Sequence, residues 1–181
     1  MSLSGIDLGA TKVTFATFSE AGIITSKETV LLGQRKGKKV GRLIAEKTKY
    51  LLESAENQVD KIKSIGISVP GISYSDTGTV WAPNIPGWND YPLLQEIKNV
   101  AGDIPVTIDS DRACYILGEF WQGNARGCRD AVFLSVGTGI GAGILVNGEV
   151  LRGSNDIAGA IGWMALNRPF NDKYISCGCF E

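Results

Sequence analysis

The chain has 181 residues, enough for one large domain or for one domain and part of another. Hydrophobic residues make up 44% and charged residues 20%, so a core can form, and a formal net charge of −1 gives no whole-chain attraction to nucleic acid or to an acidic membrane. No apolar run approaches the roughly 18–20 residues of a membrane span and no signal-peptide pattern opens the chain, so the expected location is cytoplasmic; the absence of histidine removes Ser–His and Cys–His nucleophiles and imidazole metal ligands.

Taken along the chain, Leu3–Leu8, Lys12–Ser19 and Ile23–Val30 read as three strands joined by short turns, an antiparallel ribbon. The basic stretch 34–39 lacks interleaved aromatics and reads as a solvated loop leading into a helix over about 39–56, with Val40, Leu43, Ile44, Leu51 and Ala55 near one face. A strand follows over Ile62–Val69 and stops at Pro70-Gly71. The stretch 72–89 is irregular and holds a turn at Asp76-Thr77-Gly78-Thr79; a loop this long usually binds something. A helix over Leu93–Val100, a strand over Val106–Ile108 and a helix over Arg112–Gln122 come next. Three strands, Asp130–Val136, Gly141–Leu145 and Glu149–Leu151, close the pattern, the last two joined by Asn147-Gly148, a strong hairpin signal.

One plan occurs twice. A strand, a Gly/Thr turn, a second strand, a hairpin turn and a third strand are laid out around Gly9-Ala10-Thr11 and again around Gly137-Thr138-Gly139, which suggests duplication. In the first turn, glycine lets the backbone approach an anion, Thr11 adds a hydroxyl and Lys12 a positive charge, while Asp7 at the strand end suits hydrated Mg²⁺; an ordinary hairpin is the competing reading. In the second, four glycines within seven residues, Gly137 to Gly143, weaken a strand pair unless a ligand must come close. The run opens a strand and not a helix, so it is neither a dinucleotide fingerprint nor a P-loop. Two such turns describe a cleft that grips phosphates from both sides. Phosphoryl transfer then needs a base for the acceptor hydroxyl. Asp109 and Asp111 follow the Val106 strand; Asp109 and Ser110 suit helix capping, which leaves Asp111 as the candidate base.

These residues carry a resemblance. Ile6-Asp7-Leu8-Gly9-Ala10-Thr11-Lys12 resembles the first phosphate motif of the ROK family of sugar kinases and sugar-responsive repressors, within the actin-like ATPase superfamily. Residues 65–71, the loop 79–88, the segment Val106 to Glu119, the turn Leu134 to Gly143, Leu151-Arg152-Gly153 and Ala158 to Gly162 are similar to its later motifs, in order and over essentially the whole chain. The resemblance implies an α/β, RNase H-like actin/hexokinase-type fold. It would comprise one full domain over 1–118 and the beginning of a second, duplicated domain over 119–181. It implies ATP and Mg²⁺ as co-substrates and phosphorylation of a hexose or N-acetylhexosamine hydroxyl, with Asp111 as general base. Gly9, Ala10, Thr11, Lys12, Gly137, Thr138 and Gly139 would hold phosphates and Asp7 would hold Mg²⁺ through water. Gly71, Asn84, Ser110, Asp111 and Glu181 would meet the sugar.

The chain departs from the family pattern at Ala160 and Trp163, where the family commonly has Glu and His. Of the family's zinc ligands only Cys177 and Cys179 remain, too few for a structural site, so no zinc is expected. Family members usually run about another domain further. A half-built second domain should expose apolar surface, and a homo-oligomer, a dimer, is the expected assembly. A sugar kinase is the leading expectation. A catalytically inactive sugar-binding or assembly module is the alternative, motivated by Ala160 and Trp163. A repressor is disfavoured, because the first motif begins at the sixth residue and leaves no place for a DNA-binding helix pair.

Overall fold

The structure, a computed structural model, describes residues 2–57, 61–137 and 139–164. The chain forms two compact units, Met1–Asp109 and Ser110–Glu181.

In the first unit the expected ribbon is present. β1 (Ser2–Leu8) pairs antiparallel with β2 (Lys12–Ser19), and β2 with β3 (Ile24–Leu31). Alternation sends Ile6 and Leu8 of β1, with Val13 and Phe15 opposite them, to one buried face and leaves Asp7 exposed on the other. A 20-residue helix, α1 (Lys38–Asn57), covers the buried face with a stripe at Val40, Ile44 and Thr48, whose hydroxyl donates to the Ile44 carbonyl at 2.8 Å. Gly41 lies in this helix because a Cβ there would collide with the hydroxyl of Tyr91 and the carboxylate of Glu96. The chain then re-enters the sheet as β4 (Ile62–Val69), parallel to β1, with Ile6 opposite Ile67 and Asp7 opposite Ser68.

The stretch expected to be irregular contains a small hairpin, β5 (Ile72–Ser73) with β6 (Val80–Trp81), closed by Tyr74 and Thr79 around the anticipated turn. Two-residue strands carry too little alternation to be read from the sequence. α2 (Leu93–Ala101) packs Leu93 and Ile97 into the core beside α1, and β7 (Val106–Ser110) completes the strand order β3-β2-β1-β4-β7. β7 runs in the direction of β4: Ile65 donates to Pro105 at its start, and the Ser73 hydroxyl to Ile108 near its end. One apolar cluster, built from β1, β2, β4 and both helices, seals this face, each fully buried Ile, Leu or Phe contributing about 1.5–3 kcal/mol.

In the second unit α3 (Asp111–Gln122) is followed by β8 (Ala131–Val136), β9 (Ile140–Val146) and β10 (Glu149–Val150), in the order β10-β9-β8. The hairpin at Asn147-Gly148 has positive φ at both residues, 54° and 84°, the twist that a two-residue hairpin demands. α3 lies on the face formed by Ala131, Phe133 and Leu145, with Ile116 buried against it and the Tyr115 and Phe133 rings 5.3 Å apart. A Cβ on Gly143 would stand 2.2 Å from the Arg112 carbonyl oxygen, and one on Gly141 3.0 Å from the Arg112 side chain. These two glycines of the Gly-rich run therefore admit a helix, where the sequence pattern suggested a ligand. A 3-10 turn over Ile161–Trp163 ends the described chain.

Candidate functional site

Parallel strands present their carboxyl ends along one edge of a sheet, where open α/β sheets bind ligands. In the first unit that edge carries the turn after β1 and the turn after β4, and β7 reaches it at Asp109. The first turn is closed by Gly9 N–H donating to the Lys12 carbonyl at 2.8 Å, and Leu32 N–H donates to Thr11. Ala10, Thr11 and Lys12 are exposed, so an amide, a hydroxyl and an ammonium face outward together. Asp7, next to this turn, stands between Thr14 of β2 and Ser68 of β4 on the face away from the core.

Among the described residues no cluster of three or more Asp, Glu, Cys or His is placed to hold a metal ion directly. A single exposed carboxylate flanked by hydroxyls fits a cation that keeps most of its waters and shares phosphate oxygens, which is the usual habit of Mg²⁺.

Gly71 sits at φ 117°, and a Cβ there would approach the Trp81 carbonyl to 2.2 Å. The backbone after β4 thereby runs directly against β6. Beyond β6 the chain makes two linked turns, Ala82 to Ile85 and Ile85 to Trp88, closed by Ala82 N–H donating to the Trp88 carbonyl. Trp88 is buried, stacks on Tyr91 with 4.3 Å between ring centroids, and donates its indole N–H to the Gly37 carbonyl at 3.1 Å; Gly37 N–H donates to Pro86 in return. Asn84 rides exposed on this clamped loop, a fixed polar group at low entropic cost. The Gly37 clamp was not foreseen; its sequence signal is the concentration of Pro, Gly and Trp in 83–88, which marks a rigid loop but not its anchor.

In the second unit Ser110 caps α3, its hydroxyl accepting from Ala113 N–H at 3.3 Å. Ser110 is buried. Asp111, first residue of α3 and half-buried, accepts from Arg112 N–H at 2.8 Å through Oδ1. In the second Gly/Thr turn Gly137 N–H donates to the Gly139 carbonyl at 3.0 Å. Gly137 has a negative φ, and a Cβ built there meets nothing within 4 Å; Gly9 meets only the Lys12 carbonyl, at an ordinary 3.4 Å. Neither glycine is required by packing or by backbone strain. Thr138, Glu181 and the zinc question at Cys177 and Cys179 lie outside the described residues.

The model of the ROK family matches residues 3–181. The chain belongs to the ROK family. It is 35% identical to a glucokinase of Halalkalibacterium halodurans over 98% of its own length and 54% of that protein. It is 34% identical to a xylose repressor of Caldicellulosiruptor bescii over 99% of its length and 45% of that protein. Among solved structures, the ROK hexokinase of Thermus thermophilus superposes with a TM-score of 0.77 and 30% identity, covering 92% of this chain and 54% of that one. The chain thus spans about half the length of the relatives it matches. Its fold is the actin- and hexokinase-type α/β fold that the motifs implied, one sheet domain with part of a second.

Proposed function

We propose that this ROK chain is the catalytic portion of an ATP-dependent sugar kinase acting on a hexose or N-acetylhexosamine hydroxyl. The observation that carries the reading is the pair of strand-end turns whose glycines the fold does not need. Gly9 and Gly137 leave bare backbone where packing would accept a side chain, and bare backbone is what a phosphate requires for close approach. The similarity to a glucokinase supplies the reaction class.

In this reading Gly9, Ala10, Thr11 and Lys12 take phosphate oxygens of ATP, as do Gly137, Thr138 and Gly139. Asp7 would hold Mg²⁺ through water, and the cation would supply screening of the phosphate charge. Asn84 and the backbone at Gly71 contact the sugar, together with Glu181. Asp111 accepts the proton of the attacking hydroxyl. Its Oδ1 accepts from Arg112 N–H, which orients the carboxylate. Ser110 acts by holding the start of α3, so that Asp111 keeps its place.

Coupled turnover by the native gene product over a panel of hexoses and N-acetylhexosamines tests the reading. Asp111→Asn should lower kcat by about 10²–10⁴-fold and leave sugar binding by calorimetry in place. Turnover indifferent to Asp111→Asn would remove the assignment. The similarity to a xylose repressor favours, as the second reading, a module that binds sugar without turning it over; sugar binding with no phosphorylation at any ATP concentration would establish it.

A further inference from the structure

The sheet face beneath α1 changes character along its strands. Toward the Gly9 turn it carries Ile6 and Leu8 of β1, with Val13 and Phe15 of β2. Toward the opposite edge the same alternation places Ser4 and Ser2 on β1, Thr17 on β2 and Ser26 on β3. α1 registers the change. Val40, Ile44 and Thr48 are fully buried, whereas Leu51, Leu52 and Ala55 further along are half-buried. Small hydroxyl side chains leave room there that larger apolar ones would have filled. The room is a cleft of about 480 Å³ between β2, β3 and the second half of α1. It lies within the first unit, about 20 Å from the Gly9 turn along β1.

The cleft has a carbon floor and a polar rim. Phe15, Leu51, Ala55 and Ile62 line the floor. On the rim stand the hydroxyls of Ser26, Tyr50 and Ser54, which make no hydrogen bond among the described residues. A register shift after Thr17 brings Thr25 to the same side, and those two hydroxyls share a 2.8 Å hydrogen bond. Among the described lining residues only Glu28 is charged. Lys47 pairs with it, and the Lys47 ammonium stands 6.0 Å from the centre of the Tyr50 ring.

We infer that this cleft is a second small-molecule site, for an uncharged polyhydroxyl ligand of monosaccharide size. Its volume falls within the roughly 300–1,000 Å³ usual for small-ligand sites. A hydroxyl both donates and accepts, so the rim and a polyol satisfy each other in either direction. The floor takes the C–H face of a ring. Glu28 and Lys47 cancel each other's charge, so the lining attracts neither an anion nor a cation. An apolar ligand would strip water from Ser26, Tyr50 and Ser54 and return no hydrogen bond. The lining offers hydroxyls and one ion-paired carboxylate, so the site binds its ligand without transforming it. A ligand held by both β3 and α1 stabilises the first unit by mass action. None of these residues belongs to the proposed sugar or phosphate contacts, so the inference stands apart from the kinase reading.

The test is NMR titration of the native gene product with glucose, mannose, N-acetylglucosamine and myo-inositol, beside gluconate and glucosamine as charged counterparts. The expected result is saturable shifts at Thr17, Ser26, Glu28 and the 50–55 amides with at least one neutral polyol. Gluconate and glucosamine should bind there at least tenfold more weakly. Asn84→Ala should leave these shifts in place, which separates the cleft from the proposed sugar contact. Ser54→Phe should abolish them by filling the cleft. Ser26→Ala with Ser54→Ala, which changes almost no volume, should weaken binding at least tenfold while the ligand-free melting temperature holds. The inference is overturned if no neutral polyol shifts these residues up to about 100 mM. Shifts confined to the loop 82–88, equal binding of the charged counterparts, or shifts that survive both sets of variants would overturn it as well.

Discussion

The sheet face under α1 and the sheet face on β8 start from the same strand, turn, strand plan and reach opposite ends. One is sealed by two helices and a parallel strand; on the other, among the described residues, Val132, Leu134 and Val136 of β8 are 67%, 57% and 69% exposed. The difference shows that the repeated hairpin does not by itself make a domain. A three-stranded ribbon with one covered face has spent its alternation on two apolar faces and filled only one. The elements after the ribbon decide whether the second face becomes core or interface.

The largest effect that separates the two faces comes from charge. Ile6→Asp places a carboxylate in the closed cluster with no partner, and should cost more than about 4 kcal/mol, enough to unfold the first unit. Leu134→Asp at the corresponding position should change stability by about 0.5 kcal/mol or less and raise solubility. Urea denaturation of both variants checks this. Equal destabilisation would mean that the β8 face is already covered in solution, and the contrast would fail.

A middle-sized contrast lies among the glycines. Gly143→Ala drives a methyl into the Arg112 carbonyl, and Gly71→Ala adds one at φ 117° against Trp81. Each should cost about 1–3 kcal/mol through overpacking, Gly71 with backbone strain in addition. Gly137→Ala should leave the melting temperature within a degree or two and weaken ATP·Mg²⁺ binding instead. A stability loss at Gly137 equal to that at Gly143 would return the second turn to an ordinary structural role.

That contrast also shows how far the sequence could be read. Strands, hairpins and helix faces were legible because they are local. Alternation at Lys12–Ser19, two positive-φ residues at Asn147-Gly148 and the Val40, Ile44 stripe each depend on neighbours a few residues away. The motif order around Gly9, Asp111 and Gly137 identified the family for the same reason. The uses of the four glycines in 137–143 were not legible. They depend on where α3 lies, and the composition is identical whether a glycine admits a helix or a phosphate. The cap at Ser110 was legible as a local pattern, and which of Asp109 and Ser110 makes it was not; in the structure the Ser110 hydroxyl accepts from Ala113 N–H. The Trp88 to Gly37 clamp joins residues 51 positions apart, beyond any local pattern.

The smallest effect isolates the sealed unit. Tyr91 is buried, stacked on Trp88, and donates its hydroxyl to Glu96 at 2.8 Å. Burial pushes its phenol well above the usual tyrosine value near 10, and the hydrogen bond to Glu96 and that carboxylate's charge push the same way, with Arg42 opposing. A folded pKa above the unfolded one means that the native state holds its proton longer. This contribution is therefore complete below about pH 10 and is lost as pH climbs from there toward the folded pKa, by at most about 1.4 kcal/mol per pH unit. Tyr91→Phe should be less stable than the parent at pH 8, by about 1 kcal/mol for the lost hydrogen bond, and the gap should narrow at pH 10.5 and above. Because Tyr91 belongs to the first unit, only the unfolding transition of that unit should respond. A gap that stays constant from pH 8 to 11 would mean that the phenol reaches water, and that the face under α1 is not closed around Tyr91 in solution.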